Sequence, residues 1–502
     1  MDLLSVLVLF FLSLLSLLLL KGKKKNGKGF KLPPSPPGLP IIGNLHQIGS
    51  LPHHTVAQFS KKYGQVMLFY FGRTPVVFVS TPEMAKEVLK NQDSNMCSRP
   101  PLPGPRKISY NFKDISFTPY GEWWREIRKI CALELFCPKA VQSYLFVREE
   151  EIACMVDSIA KASPAPVDLS EKIASVIDKV ICRTAFGKIY NGRDFDDGKL
   201  TEAVRDVLVC LNNFSGDDIF PSFGWIINML TGHTARVDRA LHNLDKFFEK
   251  AIEDHLDSNR PKPEREDIID VLLRLQRDQS SRIPITKDHI KGVLKDVFLG
   301  SVDSGALSMV WAMTELTRHP RVMKKVQAEI RSHVGSKGKV DESDIQSLHF
   351  FKAALKESWR LHPPSPLLFA RETMCDCKLD GYDIPNKTRI HVDVFAVQRD
   401  PRYWKNPDEY IPERFIDNPI DVNGQSYEYL PFSSGRRICP GITMGLAIVE
   451  PIVANLLYGF DWKLPSGMTV EDINMEESFN LSSNKKTPLI LVPIPWNAKL
   501  VE

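Results

Sequence analysis

The stretch from Thr286 to His319 constrains this chain most. Ile290, Leu294, Val297 and Phe298 recur there at helical spacing, with Thr286 as a candidate N-cap and Pro320 as a stop. The predicted helix is roughly 50 Å long, at ~1.5 Å per residue. Its centre, "FLGSVDSGALSMVW", nevertheless carries Gly300, Ser301, Asp303, Ser304 and Gly305, all poor helix formers. Each glycine costs about 1 kcal/mol against alanine in a helix interior. A helix weakened at its midpoint implies that something lies against it.

The rest of the chain bounds what that can be. Its 502 residues, 43% hydrophobic and 25% charged, suit a globular protein with a large core. The net charge of +4 is local, because residues 1–31 hold six lysines and one aspartate, leaving the remainder near −1. A nucleic-acid-binding face would need the excess on the folded part. Nine scattered cysteines make no disulfide framework, and reduced thiols facing the cytosol are expected. Cys375 and Cys377 form the only close pair; no second pair or histidine doublet stands near it in sequence, which argues against a zinc site there.

Leu3 to Leu20 is apolar except for three serines, and eighteen such residues just span hydrocarbon. Lys21, Lys23, Lys24, Lys25 and Lys28 follow at once, while a positive leading region and a small-residue cleavage site are missing. Residues 1–20 therefore read as a signal-anchor transmembrane helix whose lysine flank, and everything after it, stays cytoplasmic. Within residues 21–40 the run "LPPSPPGLP" forms a stiff spacer that cannot be helical. Residues 41–502 read as one compact unit. A β-hairpin is predicted at "QVMLFYFGRTPVVFVS", helical patterns run from Pro82 to about Arg360, and short strands return near residues 377–393 and 487–494. The fold class is mainly α with a small β region.

The chemistry concentrates in "LPFSSGRRICPG", Leu430 to Gly441. Cys439 lies between two arginines and the start of an apolar helical pattern, Ile442 to Leu457. Backbone N–H groups at such a helix start favour a thiolate, and Arg436 and Arg437 suit a neighbouring anion with several carboxylates. The stretch resembles the haem-ligand loop of the cytochrome P450 family, Phe-x-x-Gly-x-Arg-x-Cys-x-Gly. Three further motifs stand in the family's order. "KESWR" has Glu357 and Arg360 in Glu-x-x-Arg spacing, "YIPERF" has Arg414, and "WWREIRK" has Trp124 and Arg128. Details of these motifs are similar to plant microsomal members that tailor secondary metabolites.

The resemblance implies the cytochrome P450 fold, haem b with Cys439 as its metal ligand, and electrons from NADPH through a separate reductase. No Gly-x-Gly-x-x-Gly fingerprint follows a predicted strand here. It further implies that Trp124, Arg128, Arg371 and Arg437 hold the haem propionates, and that Glu357, Arg360 and Arg414 form a structural triad around the cysteine loop. The weak helix midpoint falls where the family lays a bent helix across the oxygen-binding side. Asp303 and Ser304 are then the candidate catalytic pair, an acid and a hydroxyl able to handle protons. Two positions depart from the family pattern: Ser301 replaces a glycine and Ser304 a threonine, with an extra glycine at 305. Ser433 also stands where many members have glycine. A mid-helix serine such as Ser301 can alternatively bond back to a carbonyl one turn earlier.

By resemblance, the substrate pocket draws on Phe112, Phe214, Phe298, Ser301, Leu367, Leu368, Phe369, Phe479 and Leu481. This implies an apolar, partly aromatic cavity for a small lipophilic molecule of terpenoid or aromatic type. The implied partners are the reductase, the substrate and the bilayer of the endoplasmic reticulum. Monooxygenation is the leading expectation. Dehydration, isomerisation or oxidative coupling without classical oxygen insertion is the alternative. A non-enzymatic membrane haem protein would need a second strong axial side chain, and Leu299 to Ser308 offers no His, Met or Cys.

Overall fold

The computed structural model describes residues 29–188, then Ala203, Asp206, Val207, Val209 and Cys210, and residues 215–496 except 262, 280 and 481. The expected membrane anchor, Phe214 and Leu481 lie outside the described residues, as does the side chain of Phe479.

The helices that frame the site are α1 (Pro52–Tyr63), α2 (Glu122–Ile130), α3 (Leu145–Ala162), α4 (Leu169–Phe186), α5 (Gly224–Leu230), α6 (His233–Leu256), α7 (Ile268–Asp278), α8 (Lys287–Arg318), α9 (Pro320–Val334), α10 (His349–Leu361) and α11 (Ile442–Gly459). The central helix α8 starts and stops where the sequence predicts. Thr286 caps it together with His289, whose Nδ1 lies 2.9 Å from the Thr286 backbone nitrogen. Most of α8 on either side is buried against α4, α7, α9 and α10, whereas the run from Leu299 to Ala306 contains no buried residue. The helical hydrogen-bond pattern continues straight through that segment. Its weak formers are there to leave room, and the helix does not break.

The glycines of α8 divide by what they face. A Cβ added at Gly300 meets nothing within 4 Å, whereas one at Gly305 would press on Ile177 of α4 at 3.3 Å. A Cβ at Gly292 would lie 2.4 Å from the Lys113 carbonyl oxygen. Gly292→Ala should therefore cost about 1–3 kcal/mol, as overpacking does. Gly300→Ala should raise helix stability by up to about 1 kcal/mol. Thermal inactivation midpoints moving in opposite directions would bear this out.

The β region lies to one side of the helices. Strands β1 (Val66–Phe71), β2 (Thr74–Val79), β3 (Arg371–Glu372) and β4 (Arg389–Val392) form a sheet in the order β1-β2-β4-β3. The predicted hairpin turns at Gly72-Arg73, so Thr74 pairs with Phe71. β2 and β4 run parallel, with Val76 opposite Arg389, across a gap of more than 300 residues. A separate hairpin, β5 (Glu477–Asn480) and β6 (Ser482–Lys485), reaches α8. The sequence gives no alternating signal for this hairpin. The proline-rich spacer lies against the first sheet: Pro34 accepts from the Leu68 backbone nitrogen at 2.9 Å, and Pro36 accepts from the Asn44 side chain at 3.1 Å.

Candidate active site

A cavity of about 330 Å³ opens between the middle of α8 and the loop that leads into α11. Cys439, Phe432, Gly441 and Gly445 line one wall, while Leu299, Gly300, Asp303 and Ser304 line the other. The small residues are local necessities here. Gly435 sits at φ +73°, and a Cβ there would lie 2.0 Å from the Leu89 carbonyl oxygen. Ser433, flagged above as a departure, adopts φ +64°, a left-handed conformation that costs a non-glycine residue about 1–2 kcal/mol. The Cys439 N–H donates to the Phe432 carbonyl at 3.0 Å and closes the loop. Burial pushes the Cys439 thiol above its ordinary pKa, opposed by the Gly441 N–H and by Arg128.

The cavity also gathers Arg99, Arg128, Arg371 and Arg437. Arg371 pairs with buried Asp93 at 2.5 Å. Among the described residues, the other three hydrogen-bond only to carbonyls. Arg437 donates to the carbonyls of Cys97, Ile115 and Thr118, at 2.9, 3.3 and 2.8 Å. Arg99 donates to Ser116, Phe369 and Ala370, and Arg128 to Ile438. Burial pulls Arg437 down to about 9 and lowers Arg99 and Arg128 as well. Two buried guanidinium groups, Arg99 and Arg437, and the half-buried one of Arg128, none with a carboxylate on it, are costly unless an anion joins them. A ligand with two carboxylates and a metal beside Cys439 satisfies that demand, so these residues fit a haem. Trp124 takes a different part: its indole N–H is committed to the Ile115 carbonyl at 2.9 Å, and its ring packs 3.9 Å from the Arg437 guanidinium.

On the opposite wall, Ser304 donates its hydroxyl proton to the Gly300 carbonyl. The back-bond anticipated for Ser301 is thus found at Ser304, while Ser301 lines the cavity. The Asp303 carboxylate accepts from Ser482 and, at 3.4 Å, from Asn484, both on β6. Burial raises its pKa, against the lowering effect of those two donors.

Behind the wall, Lys295 is fully buried between Asp114 (2.6 Å) and Asp296 (2.8 Å). Burial opposes its charge, and the two carboxylates more than offset that, so its pKa rises. Asp296 also accepts from the backbone nitrogens of Ile115 and Ser116 at 2.6 and 3.1 Å. This cluster fixes the segment 115–117, which lines the cavity. Sequence reasoning missed it, along with Arg99 and Asp93; a lysine on the apolar face of a predicted core helix was the available signal.

The expected triad comes together. Arg360 grips Glu357 through two hydrogen bonds of 2.7 and 2.9 Å, and Arg414 reaches the same carboxylate at 2.9 Å. The pocket residues divide. Leu368, Phe369 and Ser301 line the cavity. Phe298 does not: it is fully buried and stacked on Phe186 of α4, with ring centroids 5.1 Å apart. Leu367 packs on the core beside the first sheet, and Phe112 sits at φ +61° outside the lining. For all three, helical phase or loop geometry turns the side chain elsewhere.

The profile of the family described as "Cytochrome P450" matches residues 33–492. Similar relatives from Arabidopsis thaliana include Cytochrome P450 71B37, 49% identical over 97% of both chains. Cytochrome P450 71B10 is 48% identical over 97% of this chain and 99% of its own. Among solved structures, a zebra fish cytochrome P450 with progesterone superposes with a TM-score of 0.76. It covers 88% of this chain and 99% of its own at 24% identity, a likeness of fold.

Proposed function

The chain belongs to the cytochrome P450 family, and from that premise we propose that it oxidises a small lipophilic secondary metabolite of terpenoid or aromatic type. It is a haem monooxygenase of the plant type. Haem bound through an axial thiolate supplies activation of dioxygen. Cys439 is the residue that would give that thiolate, and Arg99, Arg128, Arg371 and Arg437 would neutralise the propionates. Electrons would come from NADPH through a separate reductase.

The other wall handles protons and excludes water. Leu299, Val297, Phe117 and Phe369 make the cavity apolar, and Gly300 leaves open space beside it. Asp303, with its raised pKa, can hold a proton at its carboxyl. Ser304 directs its hydroxyl hydrogen bond to the Gly300 carbonyl, which leaves its oxygen free to accept a hydrogen bond. The observation that carries the reading is Cys439 facing Asp303 and Ser304 across a cavity rich in unneutralised arginine.

A membrane location is part of the proposal. Trp225, Met229 and Leu230 of α5 are 57%, 61% and 77% exposed, unusual for such side chains. Leu39 and Ile41 are exposed as well. The two groups are neighbours, because Gly43 pairs with Phe71 while Gly72 packs on Ile219 and Phe220 just before α5. This apolar surface is suited to a bilayer next to the expected anchor.

The test is reconstitution with reductase and NADPH over a panel of terpenoid and aromatic substrates. A red-shifted carbon-monoxide band and NADPH-dependent product are expected. Ser304→Ala should lower product per NADPH several-fold, by removing the acceptor. Unchanged product formation with no NADPH consumed would defeat the oxygen-insertion reading.

A further inference from the structure

We propose that His53, His54 and Glu477, with His362 beside them, form a divalent-cation site, best suited to zinc, which fastens the β5–β6 hairpin to the helical body. None of the four lines the haem-side cavity. His53 and His54 open α1, His362 follows α10, and Glu477 begins β5.

The donor set and its spacing come first. His53 Nε2 and His54 Nε2 lie 2.8 and 3.3 Å from the same Glu477 oxygen, Oε2. All three ligand atoms fall within 4.8 Å of one another. Donors placed at ~2.0–2.1 Å around a tetrahedral zinc are about 3.3 Å apart, close to the 2.8 and 3.3 Å that separate the two imidazole nitrogens from Glu477 Oε2. Two imidazoles and a carboxylate are a zinc ligand set.

The second observation is independent. His362 Nε2 lies 2.7 Å from Glu315 Oε1. A carboxylate there places the imidazole proton on Nε2 and leaves a lone pair on Nδ1. That Nδ1 is buried, has no hydrogen-bond partner among the described residues, and lies 3.9 Å from Glu477 Oε1. The side chain is only 9% exposed, and Trp311 stacks flat on it at 3.9 Å. An imidazole oriented by a carboxylate through one nitrogen, with the other bare, is how metal-ligating histidines are usually held.

The surroundings are compatible with a cation. Phe395 covers both His53 and His54, with ring centroids 5.0 and 4.3 Å away. Arg399, whose positive charge bears on His53, is itself paired with Asp408 at 3.3 Å. Glu315 adds negative charge behind His362 and is shared with His319 at 3.3 Å. His54 is 41% exposed, which gives an ion a path in.

The position gives the ion a role. β5 pairs with β6, and β6 carries Ser482 and Asn484, which hold Asp303. Trp311, the residue stacked on His362, donates to the Ser483 carbonyl at 2.8 Å. A cation would therefore tie the hairpin, α1 and the end of α10 into one unit beside the proton-handling residue.

The experiment is elemental analysis of the full-length holoprotein, purified without metal-affinity steps, incubated with zinc chloride and then dialysed. Haem absorbance confirms folding of every sample. About one zinc per haem is expected in the wild type, with nitrogen and oxygen ligands at ~2.0 Å by X-ray absorption. His54→Ala, at a part-exposed position, should hold less than a tenth of that, and Glu477→Gln likewise. Absence of zinc from the wild type, or equal zinc in the folded variants, would overturn the proposal.

Discussion

Glu357→Ala should leave little haem-loaded protein. The substitution strips the carboxylate from two guanidinium groups at once, and Glu357 and Arg360 are both fully buried. Removing one partner of a buried pair costs about 3–5 kcal/mol, because the remaining charge stays desolvated. Arg360 also donates to the carbonyls of Gln398, Pro407 and Glu409, and Arg414 to those of Lys405 and Asn406. The loss therefore spreads through the segment 398–414. Gln398 relays it further, since its side chain accepts from the Leu430 backbone nitrogen at 2.7 Å, at the entrance of the cysteine loop. The measurement is haem content and thermal inactivation half-life. Glu357→Gln, which keeps one acceptor oxygen and loses the charge, should fall between wild type and alanine. Wild-type haem content and half-life in Glu357→Ala would show that the triad does not anchor the loop.

The second large effect is expected at Asp303. Asp303→Asn should lower product formation about 10²-fold, the lower end of what a positioned acid–base group contributes. Burial raises the Asp303 pKa, so the proton is held to higher pH than on an ordinary carboxyl near 3.9. If that proton is delivered to the cavity, product per NADPH falls as pH rises through the raised pKa, and the asparagine variant loses this limb. Ser482 donates to the ionised form and so lowers the pKa. Ser482→Ala should therefore move the limb to higher pH with a smaller loss of rate. The stability linkage has a definite sign. A raised folded-state pKa gives a contribution fully present below the unfolded value and lost as pH rises through the folded one. Asp303→Asn should consequently gain stability relative to wild type at neutral pH and not in acid. A pH profile unchanged by both substitutions would remove Asp303 from proton handling.

Several of these residues were legible because their chemistry is local in sequence. Glu357 and Arg360 are three residues apart on one helix, where side chains meet. Cys439 sits in a loop whose glycines and arginines are contiguous with it. The bounds of α8 follow from apolar period, cap and proline, all read within one segment. Even the weak midpoint was readable, although its meaning was only half so. Gly300 faces open space, Gly305 faces Ile177, and the two cannot be told apart from the sequence.

What the sequence determined, then, was the set of short-range devices: the long core helix, the cysteine loop, the Glu-x-x-Arg pair and the hairpin at Gly72. Tertiary structure alone decided which distant groups meet them. Ser482 reaches Asp303 across 179 residues, Lys295 reaches Asp114 across 181, and Glu477 reaches His53 across 424. It also turned Phe298 into the core and brought Arg99 into the cavity. The physical reason is that helical and strand periods report only which face a residue is on. Which partner lies opposite is set by how elements pack, and a buried charge takes whatever counter-charge that packing brings.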